Sequence, residues 1–145
     1  MLKPRDIWQR HSMTRQNTRA VANKMRPQLE AARLDLRALY RALDHMLVAQ
    51  SLPAPLRQLQ ELDADFAEAL YVLDRPPGRL DWGAMIDDTR GSLARLPALR
   101  EAFLATFDAS TRAAIEQRVQ LTRGMLSPED AYLEIPGRDP TIRRR

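Results

Sequence analysis

The sequence predicts an all-α fold: an antiparallel bundle of four to five helices with a basic N-terminal arm and a short irregular C-terminal tail. Three observations carry that expectation. Every long segment repeats its apolar residues at spacings of three and four, the period of a helix and not of a strand. Prolines fall between these segments, where helices start or stop. The connections are short, which sets successive helices antiparallel. No stretch alternates as a strand does, and there is no internal repeat or low-complexity tract.

The first segment is the weakest. Thr14, Thr18, Val21 and Met25 form a thin stripe at helical spacing. Pro27 either kinks this helix or opens the next one at its first position. Residues 28–50 carry the strongest pattern, with Leu29, Ala32, Leu36, Leu39, Leu43 and Met46 on one seam. Tyr40 and Leu47 widen the seam to the stripe of a packed bundle helix. Arg33, Arg37 and Arg41 recur every fourth residue on its flank. Pro53 and Pro55 end the segment.

The next helix spans residues 55–73, with Leu59, Leu62, Phe66, Leu70 and Leu73 facing inward. Pro76, Pro77 and Gly78 break it. Asp81 is the N-cap of a third helix running through Met85, Ile86, Thr89, Leu93 and Leu96. Pro97 is expected to kink it or to start a new piece with Leu99, Phe103, Leu104 and Phe107. Asp108 caps a fourth helix carrying Ile115, Val119, Thr122 and Leu126. Ser127, Pro128, Glu129 and Asp130 then read as a helix start, with a capping serine, proline in first place and acids in the first turn. The short helix they open includes Tyr132 and Leu133, and Pro136, Gly137 and Pro140 break the tail.

A chain of 145 residues fits one domain. We divide it into a basic arm at 1–13, a helical bundle at 14–135 and a basic tail at 136–145. Apolar content of 44% and charged content of 29% are those of a folding chain, not of a disordered one. The predicted core comprises Leu36, Leu39, Leu43, Leu59, Leu62, Phe66, Leu70, Leu93, Phe103, Ile115 and Val119.

The net charge of +4 conceals a strong polarity. Lys3, Arg5, Arg10, Arg15, Arg19, Lys24 and Arg26 face a single acid, Asp6, in the first 26 residues. Arg138, Arg143, Arg144 and Arg145 face only Asp139 at the other end. The stretch between is net acidic. Most of the basic residues are arginine, whose planar fork suits carboxylates and phosphates alike.

Basic ends on an acidic body imply docking onto something negative. The arm sets Trp8, His11, Gln16 and Asn17 among its arginines. Cations neutralise phosphates, an aromatic ring stacks on a base, and amides reach base edges. No helix-turn-helix, zinc finger or other nucleic-acid module accompanies them. An acidic groove on a protein partner suits the same residues. Trp82, following the Pro-Pro-Gly turn, either caps the core or anchors an interface, with Arg79 and Arg90 close in sequence. The predicted partner-binding residues are therefore Arg5, Trp8, Arg10, Arg15, Arg19, Trp82, Arg143, Arg144 and Arg145.

Other constellations read as structure. Glu61, Asp65 and Glu68, with Asp63 nearby, form an acidic face on one helix, which by itself does not surround a hard cation. That face is solvated, or it receives the basic arm of a neighbouring copy, giving self-association. Asp87 and Asp88 point about 100° apart on a helix and complement its dipole. His11 and His45 are the only histidines, and His45 sits on a core helix. With no cysteine, thiolate nucleophiles and cysteine-based zinc sites are excluded. Neither a nucleophile-elbow serine nor a glycine-rich phosphate loop is present.

The N-terminus lacks the apolar run of a secretory signal. Its sparse apolar residues and Asp6 also argue against a mitochondrial presequence. No run has the length of a membrane span, so the expected location is cytoplasmic, with no membrane partner. The expectation is a non-enzymatic adaptor without cofactor or metal, an accessory subunit docking on a larger assembly through its arm. The alternative is a nucleic-acid-binding accessory protein whose arm and tail, with Arg33, Arg37 and Arg41, contact phosphates.

Overall fold

A computed structural model describes residues 18–45 and 53–138. Within them the chain is all-α, and no strand occurs among the described residues. Four helices, α1 (Arg26–His45), α2 (Ala54–Asp74), α3 (Trp82–Leu104) and α4 (Ala109–Met125), are followed by a 3-10 turn at Pro128–Tyr132. Residues 18–24 are helical as well and lead into α1 through a turn at Met25. Pro27 thus lies in the first turn of α1, where its missing N–H costs nothing. α1 is the central element: it packs on α2, on α4 and on the 3-10 turn, while α2 packs on α3. Among the described residues no helix is long and apolar enough to cross a membrane.

The seams become the core. Leu29, Ala32, Leu36 and Leu39 of α1 are buried, as are Leu59, Leu62, Phe66, Leu70 and Leu73 of α2. Phe103, Ile115 and Val119 join them from α3 and α4. Leu43 and Leu93, expected in the core, are only partly buried at its edge. Ala22 and Met25 are buried and Val21 is partly so, which ties the segment before α1 to the body. Full burial of one such Leu or Phe contributes about 1.5–3 kcal/mol, so this set outweighs any surface ion pair.

Helix starts follow their capping chemistry. The Asp81 carboxylate accepts the Ala84 N–H at 3.0 Å, and Asp108 accepts that of Thr111 at 2.7 Å. Asp130 turns back to take the Ser127 N–H at 2.8 Å. Pro97 does not divide α3, which runs as one helix through it. Its neighbours Leu93, Leu96 and Leu99 all pack against the core, and those contacts hold the helix across the missing hydrogen bond. Phe103 meets Phe107 edge to face at 5.3 Å, closing the corner before α4.

Candidate interaction surfaces

The central arginines of α1 run from the interior at Arg33 to the surface at Arg41. Arg33, 1% exposed, occupies a core-facing position of α1. Its Nε donates to Asp63 Oδ1 of α2 at 2.9 Å, and its Nη2 donates to Oδ2 at 3.4 Å. Its Nη1 donates to the carbonyls of Ala131 and Leu133, at 3.0 and 2.7 Å. One guanidinium thereby joins α1, α2 and the C-terminal segment. Arg37 pairs with Glu134 at 3.2 Å and reaches Asp63 at 3.6 Å, and Arg41 lies 3.8 Å from Asp130. Glu134 adopts a left-handed φ of 68°, and its carboxylate meets Arg37.

This corrects the expectation that Arg33 contacts phosphates; Arg37 and Arg41, named with it, stand nearer the surface beside acids of the same chain. Arg33 is shut away from solvent. Asp63 likewise leaves the acidic face predicted for α2. The signal available in the sequence was the spacing: Arg33 lies four residues after Leu29 and three before Leu36, on their face of the helix.

Around this staple the C-terminal segment is pinned twice more. Asp74 pairs with Arg26 at 2.8 Å and with Arg138 at 3.0 Å. Arg138 also stacks over the Tyr132 ring, 3.9 Å from its centroid, while Arg26 donates to the Tyr132 hydroxyl at 3.1 Å. Arg138, assigned by sequence to a basic tail, is thus held by the body. On the far side, Arg112 grips Glu101 through two hydrogen bonds of 2.8 and 2.6 Å, and Arg123 donates to Asp35 at 2.8 Å. The hydrogen bonds from Arg112 hold the Glu101 carboxyl below its ordinary range. The Tyr40 hydroxyl is buried without a hydrogen-bond partner among the described residues. Burial, reinforced by the Asp63 charge, pushes its ionisation above the usual tyrosine value.

Of the predicted partner-binding residues, Arg5, Trp8, Arg10, Arg15, Arg143, Arg144 and Arg145 lie outside the described residues. Arg19 and Trp82 are described, and the fold brings them together. The exposed Arg19 guanidinium sits 5.7 Å from the centroid of the Trp82 ring. Trp82 itself is partly buried against the core at the first position of α3. Sequence proximity points to Arg79 and Arg90 as its cationic neighbours; the structure puts Arg19 there instead.

Sequence reasoning missed a groove of about 710 Å³ between α2 and α3. Phe66, Ala69 and Val72 of α2 line it with Leu80, Ala84 and Met85. Its rim carries Asp65 and Glu68 from α2 and Asp81, Asp87 and Asp88 from the α3 side, against one cation, Arg95. Asp65, Glu68, Asp87 and Asp88 form no ion pair among the described residues. No group of three or more carboxylate or histidine side chains among those residues is placed to hold a metal ion. The groove thus sets apolar side chains of α2 and α3 beside five carboxylates and a single arginine.

No known protein family, curated protein or solved structure matches this chain.

Proposed function

We propose that the chain is a non-enzymatic accessory protein of the cytoplasm that works by binding. In this reading an antiparallel helical bundle is the scaffold. Its basic N-terminal arm, with Arg5, Trp8 and Arg10, docks on an acidic surface of a larger protein assembly, and Arg15 and Arg19 at the start of the bundle extend that contact. The observation that supports it best is the distribution of arginine partners. Arg26, Arg33, Arg37, Arg112, Arg123 and Arg138 are all paired with acids of the same chain. The central part of α1 therefore offers no free basic stripe, while the sequence sets seven basic residues against one acid in its first 26 positions and four against one in its last ten.

The same distribution weighs against the nucleic-acid reading. A phosphate-binding body uses a basic face along a helix or groove. Here the groove between α2 and α3 carries five acids against one arginine, a balance that repels a polyanion.

The test compares the full chain with a variant carrying Arg5→Gln, Arg10→Gln and Arg15→Gln, each used to capture partners from an extract. We expect a defined protein to be retained after nuclease treatment and lost with the variant. Retention that disappears with nuclease, and whose affinity falls linearly in log salt, would establish the phosphate-led alternative. Identical retention by both proteins would reject the arm as the docking element.

A further inference from the structure

The groove between α2 and α3 lies beside the place where the described chain begins. Arg19 packs on Trp82, the first residue of α3, and Asp81, the residue before it, is already part of the groove wall. The described chain therefore begins next to a groove lined by both acidic and apolar side chains. Residues 1–17 carry Lys3, Arg5, Arg10 and Arg15 against Asp6, with Ile7, Trp8 and Met13 between them. Groove and segment are complementary in both respects that matter: cations against carboxylates, and scattered apolar groups against apolar side chains.

We infer that this groove is the docking site of the chain's own N-terminal segment, residues 1–17. Reach supports the assignment. Four residues separate Arg15 from Arg19, a span of at most about 13 Å, and nine separate Arg10 from it, about 30 Å. The helical rise from Asp81 to Arg95 is about 21 Å. Arg15 thus reaches the end of the groove near Asp81 and Asp88, and Arg10 reaches past its far end. Attachment also decides between this chain and a sister copy. A tethered segment faces its groove at an effective concentration on the order of millimolar, well above that of a free copy in dilute solution. The inference rests on residues 1–17 acting as a basic ligand, as in the proposed function, but on no external partner.

Because the chain has no cysteine, a Ser12→Cys substitution in the full-length protein accepts a single nitroxide label. Amide spectra then report which residues the label approaches. We expect selective broadening at Glu68, Ala69, Asp88 and Ser92, lost when Asp65→Asn, Glu68→Gln, Asp87→Asn and Asp88→Asn are combined. All four acids are exposed, so the quadruple variant keeps its fold, which its circular dichroism verifies. Broadening spread evenly over the surface, or unchanged in the quadruple variant, would overturn the inference. A mixture of isotope-labelled chains without nitroxide and nitroxide chains without isotope tests the sister copy. Groove broadening in that mixture would move the docking to a second molecule and refute the intramolecular form. Failure of partner capture leaves this readout untouched, so the two readings fail separately.

Discussion

Replacing Asp63 by leucine should be among the most damaging single changes to this fold. The substitution leaves a guanidinium that is 1% exposed facing an apolar side chain. The Nε and Nη2 donors of Arg33 lose their acceptors, while Nη1 keeps the carbonyls of Ala131 and Leu133. Removing one member of a buried pair costs about 3–5 kcal/mol, because the remaining charge keeps its desolvation penalty without its partner. With a urea slope of about 2 kcal/mol per molar, the unfolding midpoint falls by roughly 1.5–2.5 M. Asp63→Asn retains one acceptor oxygen for Nε and should lose less, about 1.5–3 kcal/mol.

The double variant Arg33→Met with Asp63→Leu removes both charges. It still costs about 1–3 kcal/mol, because two carbonyls of the C-terminal segment lose their donor. The cycle should therefore show coupling of about 2 kcal/mol or more, with the double variant more stable than the single changes sum to. Equilibrium urea unfolding followed by circular dichroism measures all four proteins. A loss under about 1 kcal/mol for Asp63→Leu, or additivity within about 0.5 kcal/mol, would refute the buried staple as the element joining α1, α2 and the C-terminus.

Other outcomes follow from single contacts. Tyr40→Phe removes a buried hydroxyl that has no partner among the described residues, so stability should change by less than about 0.5 kcal/mol or rise; a loss above about 1 kcal/mol would reveal a bond at that oxygen. Asp81→Ala deletes the cap of α3 and should cost about 1 kcal/mol, seen as a fall in Tm of roughly 3 °C. Tyr132→Phe keeps the ring under Arg138 but loses the acceptor for Arg26, about 1 kcal/mol, whereas Tyr132→Leu loses both contacts and should unfold at lower urea than Tyr132→Phe. The Asp108 carboxyl is held below its ordinary value by the backbone N–H of Thr111, and Glu101 by its hydrogen bonds to Arg112. A depressed folded pKa stabilises above the unfolded value, near pH 4, and that contribution is lost as pH falls through the folded value. Asp108→Asn keeps the cap without the charge, so the fall in Tm between about pH 6 and pH 2 should become shallower; an unchanged acid limb would exclude Asp108 as a contributor.

The helices themselves were legible because their determinants are local. A period of three and four marks Leu29 to Leu39 and Leu59 to Leu73 without knowledge of any partner. Capping needs only a carboxylate three residues from the N–H it accepts, so Asp81 and Asp108 declare α3 and α4 in advance. Pro97 is expected to kink α3 or to start a new segment because a proline in mid-helix removes a hydrogen bond; the helix runs on through it with core contacts on both sides, and periodicity cannot weigh the two.

By itself, then, the sequence determined the all-α class, the starts of α3 and α4, most of the core and the concentration of cationic charge at the ends. Only the tertiary structure decided which arginines belong to the interior. Arg33 and Asp63 lie 30 residues apart, and Arg33 and Leu133 lie 100 apart, so no spacing rule links them. It also decided that Arg19 meets Trp82, and that acids from two helices rim one groove. The physical reason is the range of the interactions. Hydrogen-bond periodicity and capping act within one turn, whereas the pairing of a charge depends on which segments packing brings within a few ångströms.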